Sequence, residues 1–158
     1  EETGKDFEEN AILKAKNAFT KTNISSVGDD SGLIVPAINN EPGLYSARYA
    51  GLNATDSDNR NKLISKLKDN KLESTYAYFF CCIVAVGIKG QNEIIVCDGK
   101  VEGEVRTIER GEKGFGYDPM FYPKGYSESF AELNSLEKNK ISHRGQALKK
   151  LMDKLNKT

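Results

Sequence analysis

The chain has 158 residues, of which 38% are hydrophobic and 29% charged, with 14 glycines; this suits one compact domain and excludes a disordered chain. Lys+Arg and Asp+Glu each number 23, and a neutral chain lacks the cationic surface of a general duplex binder, so no nucleic-acid partner is expected. No apolar run reaches the ~18 residues of a membrane span, so no membrane partner is expected either, and the opening EETGKDFEEN is acidic and polar, unlike a signal peptide.

In chain order, Asp6 and Glu9 form a D-x-x-E capping box, and Ala11, Ile12, Ala15, Ala18 and Phe19 recur at helical spacing, predicting a first helix. Ile24 to Val27 reads as a short strand that ends in GDDSG, followed by the apolar Leu33-Ile34-Val35. NNEPG (39–43) reads as a turn or loop. Thr55 or Asp56 caps a second helix with Leu63, Ile64 and Leu67 on one face. YAYFFCCIVAVGI (76–88) is the best candidate for a central strand. Ile94 to Cys97 is another strand, Asp98-Gly99 a hairpin turn, and Val101 to Ile108 the return strand, with Gly103 marking a bulge or close approach. Ser129 and Glu132 form a second capping box. The last helix starts near Ser142, with Ala147, Leu148, Leu151, Met152 and Leu155 on its apolar face. The mixed order of helices and strands places the chain in the α/β or α+β class. Cys81, Cys82 and Cys97 are odd in number and sit in apolar runs, which predicts buried thiols of a reducing cytosol rather than disulfides or a zinc site.

Three polar clusters lie where elements are expected to end. In Asp29-Asp30-Ser31-Gly32, neighbouring strand side chains point to opposite sides, so one carboxylate can face a pocket while the other braces a loop. Hard carboxylate oxygens suit Mg²⁺, and an Asx-type turn is the plain alternative. In GEKGFGYDP (111–119), glycines free backbone N–H groups for a ligand and two aromatic rings can stack on a planar base; a flexible loop is the plain alternative. It is neither a Walker nor a Rossmann motif. In EKNKISHRG (137–145), a helix N-terminus with Lys138 and Arg144 beside it suits a polyanion or a base edge, against a solvated basic helix start.

GDDSGL (28–33), PGLYSARYAG (42–51), GFGYDPMF (114–121) and AELNSLEKNKISHRGQAL (131–148) stand in the same order as in a known family. The chain resembles, from Glu1 to nearly its end, the bacterial-type inosine triphosphate pyrophosphatase family. The resemblance implies an α/β fold with an elongated, long mixed central β-sheet flanked by helices, in two lobes around a nucleotide cleft. It implies a single NTP pyrophosphatase domain over 1–158, Mg²⁺-dependent hydrolysis of ITP, dITP and XTP to monophosphate and pyrophosphate, and a cytoplasmic homodimer. By resemblance, Asp30 is the general base and a metal ligand, Glu1 the second metal ligand, and Ser31 part of the nucleotide site. Phe115, Gly116, Tyr117 and Asp118 are the base-binding loop, with Phe115 stacking on the purine. Lys138, His143 and Arg144 complete the purine pocket, and Lys14 is a phosphate-side lysine. Family members open with a strand and a [ST]-G-N-x-x-K loop that this sequence lacks, so the domain is expected to be N-terminally incomplete. A catalytically impaired nucleotide-binding fragment and a Maf-type nucleotide pyrophosphatase are the alternatives.

A pocket of donors would suit the substrate class that the resemblance implies: hypoxanthine and xanthine carry an oxygen at the six-position where adenine carries an amino group. Backbone N–H groups at Phe115–Asp118 or near His143, with the Arg144 guanidinium, are the expected donors. Each buried mismatch costs about 1–3 kcal/mol.

Overall fold

The computed structural model describes residues 3–88, 90 and 93–157. Among the described residues four α-helices and five strands follow one another: α1 (Phe7–Thr22), β1 (Ser26–Val35), β2 (Glu41–Pro42), α2 (Asp56–Asp69), β3 (Ser74–Val86), β4 (Ile94–Arg106), β5 (Phe121–Pro123), α3 (Ser135–Ile141) and α4 (His143–Asn156). The strands form one sheet in the order β2-β1-β3-β4-β5. β1 and β2 pair antiparallel with Ile34 opposite Pro42, and β4 and β5 pair antiparallel with Val105 opposite Phe121. The α/β expectation, a central sheet flanked by helices, is met.

The chain divides into two compact units, one from the stretches up to Ser31, Phe80–Lys100 and from Ser142 onward, the other from Gly32–Phe79 and Val101–Ile141. In the first unit, β3 alternates strictly. Cys81, Ile83 and Ala85 join Ile95, Cys97, Ala147 and Leu151 on the α4 side, while Cys82, Val84 and Val86 join Ala11 and Ala15 of α1. A strand segment covered on both faces needs no polar residues, which is why CCIVAV (81–86), at the centre of that run, is continuously apolar. In the second unit, Phe79, Phe121 and Phe130 pack mutually, with ring centroids 4.7, 5.0 and 5.9 Å apart. Leu33, Leu63, Leu67 and Met120 surround them. Full burial of each such side chain stabilises by about 1.5–3 kcal/mol.

The helix starts are where the caps predict. The Asp6 carboxylate accepts from the Glu9 N–H, Thr55 and Asp58 form a reciprocal capping box, and the Ser142 hydroxyl accepts from the Gly145 N–H. Elsewhere the structure departs from expectation. GDDSG does not end a strand but lies inside β1, and α1 packs so closely on Gly28 that a Cβ there would stand 2.6 Å from the Ala11 carbonyl oxygen. Asp98-Gly99 is not a hairpin turn, because β4 runs unbroken through it. A Cβ on Gly99 would lie within 2.9 Å of the Ala147 nitrogen and far closer to the His143 carbonyl oxygen. The glycine is therefore there to let α4 approach the sheet. Ser129 caps no helix. Its hydroxyl donates to the Arg110 carbonyl (2.6 Å), its N–H donates to Glu132 (2.7 Å), and the helix waits for Asn134, whose side chain accepts from the Glu137 N–H. On α4, Ala147, Leu151 and Leu155 form the single i, i+4 row that packs inward, whereas Leu148 and Met152, one position further round, are 45% and 54% exposed.

All three cysteines are free and buried. Burial pushes the Cys82 thiol up to about 12 and raises the Cys81 thiol, so neither supplies thiolate near neutrality. A disulfide reagent at pH 8 should therefore find no rapidly reacting thiol in the folded chain and all 3 in denaturant. Fast titration of the native protein would contradict this packing.

Candidate active site

The first unit gathers one cluster on β1. Asp30 is 7% exposed. Its Oδ2 accepts from Asn10 Nδ2 (3.1 Å) and its Oδ1 from Lys14 Nζ (2.8 Å), and Lys14 also donates to the Asp29 carbonyl (2.9 Å). The Gly4 N–H donates to Asn10 Oδ1 (2.8 Å), which fixes the way the amide points. Asp29, on the opposite face of the strand, receives Arg144 Nη2 and Nε on Oδ2 (2.7 and 3.1 Å). The two adjacent carboxylates thus divide between α1 and α4, as strand alternation requires. The Ser31 hydroxyl is screened from solvent without a conventional hydrogen-bond partner, and its neighbour is the Cys81 thiol. His143 is buried at the first position of α4. Lys14, expected on the phosphate side, has its ammonium on β1, at the Asp29 carbonyl and the Asp30 carboxylate. Glu1 lies outside the described residues.

The second unit gathers the other cluster. Asp118 is buried, its Oδ2 accepting from the Phe115 N–H (2.9 Å) and from Lys138 Nζ (2.5 Å). Burial pushes its carboxyl above the usual carboxylate range, against the opposing pull of Lys138 and the Phe115 N–H. The Lys138 ammonium also stands 4.7 Å from the centre of the Phe115 ring, which is 59% exposed. Tyr117 is buried, with its hydroxyl donating to the Ser46 carbonyl (2.8 Å). The Gly116 N–H donates to Asp56 Oδ2 (2.7 Å), and Arg60 Nη1 donates to the Gly116 carbonyl (2.9 Å). The Asp118 N–H donates to the Phe115 carbonyl (3.2 Å).

These bonds correct the expected donor set. The N–H groups of Phe115, Gly116 and Asp118 are consumed inside the loop and by α2, so they do not stand open to a ligand. The Asp118 and Asp56 carboxylates take the Phe115 and Gly116 N–H groups, and nothing in the sequence patterns around these two residues marks them as loop acceptors. Asn10, Asp56 and Arg60 went unread altogether as site-supporting residues. The signal that finds them is i, i+4 spacing, Asn10 with Lys14 on α1 and Asp56 with Arg60 on α2.

Among the described residues no group of three His, Cys, Asp or Glu side chains converges as a metal cage. Asp30 still fits a hard divalent cation: each of its oxygens keeps a second lone pair, and Mg²⁺ takes one or two carboxylates when substrate phosphates supply other ligands.

The family model described as the Ham1 family matches residues 1–154. The chain belongs to the Ham1 family. It is 48% identical over 157 residues to a dITP/XTP pyrophosphatase of Idiomarina loihiensis, covering 99% of this chain and 78% of that one. It is 46% identical over 155 residues to a dITP/XTP pyrophosphatase of Bacillus anthracis, covering 98% and 77%. Among solved structures, a HAM1 protein from Coxiella burnetii superimposes with a TM-score of 0.93 at 43% identity, over 100% of this chain and 80% of that one. The Staphylococcus aureus Ham1 protein does so at 0.89 and 45%, over 99% and 79%. Ham1 membership bears out the resemblance read from the four ordered motifs. No helix among the described residues is long and apolar enough to cross a membrane.

Proposed function

We propose that this protein hydrolyses ITP, dITP and XTP to the nucleoside monophosphate and pyrophosphate. The observation that carries this is its similarity, at 46–48% identity over nearly the whole chain, to proteins named dITP/XTP pyrophosphatase. Mg²⁺ dependence, a cytoplasmic location and a homodimeric state belong to the same reading and rest on the sequence resemblance.

In this reading Asp30 accepts the proton of the attacking water, and Asn10 and Lys14 hold the carboxylate in place for it. Asp30 would hold Mg²⁺, with Glu1 as the second ligand that the resemblance implies, and the cation would supply neutralisation of phosphate oxygens. Positioning and charge neutralisation supply most of the catalysis in phosphoryl chemistry. Ser31 and Lys14 contribute on the phosphate side, and Phe115 stacks on the purine. With the N–H groups of Phe115, Gly116 and Asp118 already used, the reading assigns recognition of the six-oxygen to Lys138, His143 and Arg144, the residues that the resemblance gives to the purine pocket. Tyr117, Gly116 and Asp118 keep the loop in shape.

The test is product analysis after incubating the protein with ITP, XTP, dITP or ATP and Mg²⁺. Pyrophosphate and monophosphate from the first three are expected; orthophosphate as the first product, or ATP as the best substrate, overturns the reading. Arg144→Ala should narrow the ITP-over-ATP ratio of kcat/KM about tenfold, the effect of losing one charged donor to a buried acceptor. An unchanged ratio would move selectivity elsewhere.

A further inference from the structure

Gly116 sits at φ 59° next to the exposed Phe115 ring, and both polar atoms of its backbone are gripped by one helix. Its N–H donates to Asp56 and its carbonyl accepts from Arg60. Asp56 and Arg60 are four residues apart, so their side chains leave the same face of α2. Arg60 also donates through Nε to Glu109 Oε1 (2.6 Å), immediately before the loop, so one guanidinium ties the loop's base to its crest. α2 does not need these contacts for its own integrity. Its N-terminus is closed by Thr55 and Asp58, and Leu63 and Leu67 anchor it in the core.

We propose that Asp56 and Arg60 are positioning residues that lock the 110–118 loop, so that Phe115 is presented as a fixed platform for a planar base. The proposal rests on the nucleotide reading above and extends it to two residues that touch no substrate. A platform ordered before binding spares the ligand the cost of ordering it, so the clamp acts on binding and leaves the chemical step alone. Gly116 completes the device: its left-handed backbone turns its N–H and carbonyl to the two arms.

The chain contains 0 Trp, so Phe115→Trp supplies a single fluorescent reporter on the loop. In that background Asp56→Ala and Arg60→Ala should each raise acrylamide quenching about twofold as the loop loosens, and the double variant should add little, because both arms hold the same residue, Gly116. In the chain with Phe115 intact, Asp56→Ala should raise KM for ITP about fivefold with kcat within about twofold, and Asp56→Asn, which keeps an acceptor for the Gly116 N–H, should recover most of it. Unchanged quenching in both single variants overturns the clamp, and looser quenching with unchanged KM overturns its link to base binding. If even the unmutated protein hydrolyses no purine triphosphate, the function reading fails, while the quenching series still decides the clamp.

Discussion

Asp30→Asn should lower kcat for ITP about a thousandfold while changing KM by less than about threefold, the range expected when a general base is removed from a site that otherwise stays intact. The substitution conserves shape, and its single amide oxygen can still accept from Lys14, while the bond from the Asn10 amide to the second carboxylate oxygen is lost. What it removes is the negative charge and the proton-accepting capacity of a buried group. Steady-state pyrophosphate release, with thermal unfolding as the control, checks it. A variant that retains kcat within about threefold would take Asp30 out of the reaction.

Gly99→Ala should cost about 3 kcal/mol, the upper part of the usual range for overpacking, because the added methyl meets the backbone of α4 rather than a side chain that can swing aside. For a chain of this size that is a fall in melting temperature of about 10 °C. Gly99 is not among the positive-φ glycines, so the loss owes nothing to backbone conformation. kcat/KM should fall as well, since His143 and Arg144 ride on the first turn of the displaced helix. A variant that melts with the parent would restore the turn that the Asp98-Gly99 dipeptide suggested.

The helices were legible because their ends are written in local chemistry. Asp6, Thr55 and Ser142 cap within four residues of what they cap, and no distant partner is needed to read them. β3 was legible for the same reason, as a long β-branched and aromatic run. β4 was not, because a glycine after an aspartate signals a tight turn and a close approach equally well, and only the helix lying over it separates the two. β5 escaped because three residues, Phe121–Pro123, are too few to show a period. In the candidate site, residues inside compact motifs were found. Their supports Asn10, Asp56 and Arg60 were missed because a polar residue on an amphipathic helix looks solvent-facing until its partner, here 20 or about 60 positions away, is known.

Gly28 has a consequence for how β1 is indexed. The strand carries two successive aspartates, so sliding it by one residue would still offer a carboxylate to each helix, and charge alone could not tell the two alignments apart. Yet the spot beneath Ala11 and Ala15 admits only hydrogen, since a Cβ there would stand 2.6 Å from backbone atoms of both. A slip in either direction would bring Val27 or Asp29 to that spot. The missing side chain thus works as a vernier mark, deciding which of two identical acids meets Lys14 and which meets Arg144.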